Sequence, residues 1–174
     1  MAVITALPSK PSTTHSSDVQ ALENEERVRA ALAAVRATMA APAHRSAHRP
    51  LAAAGSAALA VHAQLSPDQL AHTDPEDLAA AAVDLLADLL HLAAAARVPD
   101  QALAVMRDRH LLGSLVPGMP AERTVAEGIA ICWNNLLRFL TTQGLYRTAQ
   151  RQITARAQSY WCQETPPATV ARAA

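Results

Sequence analysis

Aromatic side chains are nearly missing from this chain. Its 174 residues include two Trp, two Tyr and one Phe. That excludes a thick, aromatic-rich β-sandwich core. Glycine (five) and proline (eleven) are too scarce for a loop-rich or collagenous chain. Alternating β-branched runs bounded by turn dipeptides are absent, so no strand is expected. No phosphate-binding Gly-x-x-x-x-Gly-Lys, no Gly-x-Ser-x-Gly elbow and no Gly-x-Gly-x-x-Gly occurs, and no other motif argues for an enzyme.

Cysteine and lysine are scarce too. Cys132 and Cys162 sit in separate expected helices, and neither belongs to a CxxC or CxxH pair. A zinc site built on thiolates is therefore not indicated, and two free thiols are expected. Lys10 is the one lysine against fourteen arginines. Net charge is zero, far from the positive balance of a dedicated DNA-binding domain. Met1 to Leu7 is apolar but lacks the n-region and long h-region of a signal peptide. Asp84, Asp88 and Arg97 interrupt the longest apolar runs, so no bilayer span and a cytoplasmic location are expected.

Alanine and leucine fill the chain instead, with 41 and 21 residues. Alanine is the best helix former and buries little surface, so the composition points to closely packed helices. Residues 1–17 hold Pro8, Pro11 and a Ser/Thr run, and read as a flexible tail. Helical spacing then predicts a helix over 19–39, with Leu22, Val28, Leu32, Val35 and Met39 as its stripe. Pro42 to Pro50 reads as a linker, followed by an alanine-rich helix over 51–64. Gly55 and Ser56 weaken that helix but allow close approach by a neighbour. Ser66-Pro67 has the chemistry of a short helix start. Asp74-Pro75-Glu76-Asp77 opens a long helix over 73–96. Further helices are expected over 100–110, 121–142 and 145–163, with Gly144 as the residue that ends the second of these. The expected fold is all-α: one bundle of about six helices over 18–164, with no sheet and a flexible tail over 165–174.

Two constellations could carry chemistry. On the 73–96 helix, Leu78, Ala82, Leu85, Leu86, Leu89 and Leu92 share one side. Asp77, Asp84, Asp88 and His91 fall within an arc of about 60° on the other. Asp84, Asp88 and His91 could hold a divalent metal, as in a nucleotide hydrolase, if a second helix supplied carboxylates. Glu23 and Glu26 are the candidates for that second helix. The simpler reading is a solvated acidic face, with no metal and no cofactor. Arg107, Arg109 and His110, near a helix C-terminus, suit a dipole-capping role.

The second constellation is C-terminal. All five aromatics, Trp133, Phe139, Tyr146, Tyr160 and Trp161, lie in the last third. On the last helix, Tyr146, Ala149, Ile153, Ala157 and Tyr160 line one face. Arg147, Arg151, Thr154 and Gln158 line the other. A basic face beside aromatics suits an acidic protein surface or a phosphate backbone. The simpler reading is that the aromatics close a helical hairpin and the arginines are solvated. The expected partner-binding residues are Arg138, Tyr146, Arg147, Arg151 and Trp161.

One segment also resembles a known group. Asp84-Leu85-Leu86-Ala87-Asp88-Leu89-Leu90-His91, followed by a break and a helix ending in Arg109-His110, resembles part of small helical proteins of bacterial plasmids, integrative elements and phages. This chain departs from them in lacking an aromatic after either histidine. The resemblance implies a mobile-element accessory protein, a context rather than an activity. The leading expectation is thus a non-enzymatic interaction protein, an accessory component or inhibitor of a nucleoprotein complex. The alternatives are a small helical subunit that binds nucleic acid directly, and the metal-dependent hydrolase. The alanine-faced 51–64 helix suits a dimer or hetero-complex.

Overall fold

A computed structural model describes residues 14–40, 48–111 and 125–164. They form seven helices: α1 (Thr14–Ala40), α2 (His48–Ala63), α3 (Pro67–Ala71), α4 (Pro75–Ala95), α5 (Asp100–Leu111), α6 (Val125–Thr142) and α7 (Arg147–Glu164). The fold is all-α, with no strand among the described residues. The seven helices of the described residues, the short expected α3 included, agree with the expected bundle of about six. Residues 1–13 and 165–174 of the expected tails, and the Gly113–Pro120 break, lie outside the described residues, as do the side chains of Arg109 and His110. α1 begins at Thr14, earlier than the spacing indicated, and α2 at His48, inside the expected linker.

The helix ends follow local chemistry. Ser66 and Gln69 cap α3 reciprocally: Gln69 N donates to Ser66 Oγ at 3.2 Å, and Ser66 N donates to Gln69 Oε1 at 2.8 Å. Asp74 Oδ1 accepts from Glu76 N at 2.8 Å, with Pro75 in the first turn of α4. The C-termini of α2, α4 and α6 share one device. Gln64 (φ 56°), Arg97 (φ 55°) and Gly144 (φ 81°) turn left-handed. The next residue then donates back across the last turn: Leu65 N to Ala60 O, Val98 N to Ala93 O, and Leu145 N to Leu140 O.

α1, α2, α4 and α6 form the central layer, with α6 against α2 and α1 against α2, α4 and α6. α5 lies on α6, and α7 lies on α4. α6 and α7 make little contact with one another, which corrects the expectation of a C-terminal hairpin closed by aromatics. Trp133 and Phe139 are buried, Trp161 is half-buried, and Tyr146 and Tyr160 are exposed.

Alanine sets the spacing of the central layer. α1 turns inward an edge of Ala31, Ala34, Val35 and Thr38, while Leu22, from the expected stripe, is 63% exposed. α2 contributes Ala54, Ala58 and Leu59. At Gly55 the backbones touch: a Cβ there would overlap the Asn135 carbonyl of α6. α4 is buried on most of its circumference, including all six residues of the expected leucine face. By length and composition alone α4 could cross a membrane, contrary to the expectation that no segment is apolar enough. Here it is a core helix, with most of its apolar surface covered by protein.

Candidate functional site

Two places gather polar chemistry. The first lies where α1, α2, α4 and α7 meet. His62 Nε2 of α2 and Asp88 Oδ2 of α4 are 2.9 Å apart, both largely buried. One turn along, His91 Nε2 lies 3.1 Å from Glu164 Oε2 of α7. Arg27 of α1 donates to the same Glu164 oxygen, and its Nη1 is 3.4 Å from the His91 ring nitrogen. A cavity of about 230 Å³ is lined by Arg27, Asp84, Asp88, Tyr160 and Glu164.

The charges respond to this crowding. Partial burial pushes the Asp84 carboxyl above the ordinary carboxylate range. His62 opposes the shift, while Asp88 and Glu164 reinforce it. Burial also pushes the Glu164 carboxyl up, but hydrogen bonds from Arg27 and His91 outweigh it and hold the group below the ordinary range.

The α4 acidic arc is therefore not one solvated face. Asp77 and Asp84 are exposed, but Asp88 is paired and His91 is 6% exposed. The carboxylate that reaches it is Glu164 rather than Glu23 or Glu26. Asp84, Asp88 and His91 do not converge: among the described residues, no three of His, Cys, Asp and Glu are arranged to hold a metal ion. What the cluster does is tie three helices to α4.

Arg27 and His62 were missed as partners, and helical spacing places them only once the buried faces are known. Arg27 continues the inward Ala31–Ala34–Thr38 edge of α1, and His62 continues Gly55–Leu59 on α2. Glu164 had no such signal, since α7 is too polar to mark which of its ends is held.

The second place is a trough between α5 and α7, floored by α6. Arg107, Arg147, Arg151, Gln150, Thr154 and Gln158 line a cavity of about 320 Å³ at one end. Arg107 and Gln158 also line an adjoining cavity of about 440 Å³, walled by Leu90, Leu103, Trp133, Trp161 and Cys162. The Arg107 guanidinium lies 4.2 Å from the centre of the Trp133 ring. Asn134 Nδ2 donates to the Arg107 carbonyl at 2.7 Å, which fixes α5 to α6. Gln150 Nε2 is within 2.9 Å of the Leu137 and Leu145 carbonyls and of Thr141 Oγ1, which fixes the start of α7.

Of the five expected partner-binding residues, Arg147 and Arg151 share the arginine-lined end, and Trp161 lies in the adjoining cavity. Tyr146 is 66% exposed and lines neither cavity. Arg138 is half-buried, which lowers its guanidinium pKa, and lines neither cavity as well. Arg107, read from the sequence only as a capping charge, joins Arg147 and Arg151. Burial lowers its guanidinium pKa, against a smaller raising influence of Asp108. None of the three arginines forms a salt bridge with a described carboxylate.

The chain matches no protein-family model, no curated protein and no solved structure.

Proposed function

We propose that the protein is a non-enzymatic helical interaction protein that holds an acidic partner surface against its α5–α7 face. The observation that carries this reading is the convergence of Arg107, Arg147 and Arg151 on one cavity that no described carboxylate lines. Arg147 and Arg151 stand one turn apart, a like-charge spacing that costs a helix about 0.2–0.5 kcal/mol. An anionic partner relieves that repulsion and gains charge-assisted hydrogen bonds to planar guanidinium groups. Trp161, in the adjoining cavity, adds the kind of anchor found at protein–protein hot spots. The resemblance of the Asp84–His91 segment to mobile-element proteins supports a component of a nucleoprotein complex as the partner, in the cytoplasm.

The test is affinity purification from the native host with the wild type and with Arg147→Glu/Arg151→Glu. The double variant is expected to keep its helix content by circular dichroism and to lose the partner. Unimpaired capture would overturn the reading. Titration with single- and double-stranded oligonucleotides at low salt separates the nucleic-acid alternative. Direct binding that weakens steeply with added salt would make the acidic surface a phosphate backbone.

A further inference from the structure

The trough is more than a charged surface, because its two cavities are unlike and adjoin at shared residues. The outer one offers guanidinium and amide donors. The inner one is apolar, backed by the buried Leu90, Leu103 and Trp133 and flanked by the half-buried Trp161, and Arg107 and Gln158 belong to both. Together they fall in the size range of small-molecule sites, which join an apolar wall to a few fixed polar groups.

Among the described residues no carboxylate lines the outer cavity, and Asp100 is the one that lines the inner cavity, together with Arg107.

We infer that the α5–α7 trough binds a small amphipathic anion, with a flat aromatic body in the indole-walled cavity and a phosphate or carboxylate among Arg107, Arg147 and Arg151. The half-buried Trp161 is the indole that can meet a flat ring, since Trp133 is enclosed beneath Arg107, and guanidinium forks match either oxyanion. The site uses the same arginines as the proposed partner surface. It does not depend on a partner, because binding is measured on the isolated chain. Failure here leaves partner capture standing, and failure of partner capture leaves this site standing.

Calorimetric titration of the full chain with 1-naphthyl phosphate, 1-naphthoate, 1-naphthol and inorganic phosphate tests it. At least one aryl anion should bind, with 1-naphthol and inorganic phosphate each weaker by about tenfold or more. Naphthyl phosphate against naphthoate tells which oxyanion the arginines prefer. Arg147→Gln/Arg151→Gln should weaken the anions by a similar factor and leave 1-naphthol unchanged. Ala104→Trp, at an exposed residue on the inner wall, should fill the cavity and abolish binding of every aryl compound while helix content is kept. Cys162 lines the inner cavity and gives a second readout, because a bound aryl anion should slow its alkylation. The inference is overturned if neither aryl anion binds or if 1-naphthol binds as tightly as they do. It is equally overturned if both variants bind like the wild type.

Discussion

Cys132 and Cys162 are chemically the same side chain in opposite surroundings. Cys132 is wholly enclosed on α6, and burial pushes its thiol up to about 12, against a smaller lowering by Thr38. Since the thiolate is the nucleophile, Cys132 should be inert to iodoacetamide in the folded chain. Cys162 is exposed on α7 and should alkylate readily. Mass spectrometry after native labelling should find one modified cysteine, and labelling in denaturant should find two. Fast native modification of Cys132 would mean that α6 opens far more readily than its packing implies. Trp133 shows what a single large residue contributes beside so many alanines. Burying about 200 Å² of indole at about 25 cal/mol per Å² is worth roughly 5 kcal/mol before entropy, against about 0.8 kcal/mol for one methyl-sized group.

At the scale of helices, small residues decide which elements meet. At Gly55 α2 and α6 approach backbone to backbone, because an added Cβ would overlap the Asn135 carbonyl and crowd the Leu136 amide. Backbone cannot rotate aside as a side chain can. Gly55→Ala should therefore destabilise the bundle by about 3 kcal/mol or more, the upper end of overpacking costs, despite alanine's better helix propensity. Urea denaturation compares it with Ala53→Gly, an exposed site on α2 where the cost should be only about 1 kcal/mol. The element types and most boundaries were legible because capping residues, prolines and the leucine face of α4 act locally. The buried edge of α1 was not legible from its large side chains. Ala31, Ala34 and Thr38 carry little hydropathic signal, yet their small size lets α2, α4 and α6 approach. The arginine face of α7 was legible from its i,i+4 spacing. The contribution of Arg107 was not, since it depends on α5 lying across α6.

For the molecule as a whole, the Arg27–His91–Glu164 contact joins points separated by most of the described chain and fastens the end of α7 to α1 and α4. α7 otherwise buries few residues, Ile153 and Ala157 among them, so its far end depends on this polar tie. Glu164→Gln removes the charge while keeping the shape, and should cost about 1 kcal/mol near neutral pH, since both Arg27 and Glu164 remain part-exposed. The pH dependence has a definite sign. The Glu164 carboxyl is held below its unfolded value, so the folded chain releases that proton more readily than the unfolded chain. Its stabilisation is complete above the ordinary glutamate range, near pH 4.3, and is lost as pH falls through the lowered folded value. Asp84 has the opposite sign. Its raised carboxyl favours the protonated folded state, so its contribution appears as pH falls and disappears as pH rises through the raised value. Denaturant midpoints of wild type, Glu164→Gln and Asp84→Asn, measured from neutral pH into acid, separate the two. The gap between wild type and Glu164→Gln should close in acid. Asp84→Asn should be at least as stable as the wild type near neutral pH and lose that margin in acid. A Glu164→Gln gap that persists undiminished in acid would show that the carboxylate charge is not what holds α7 in place.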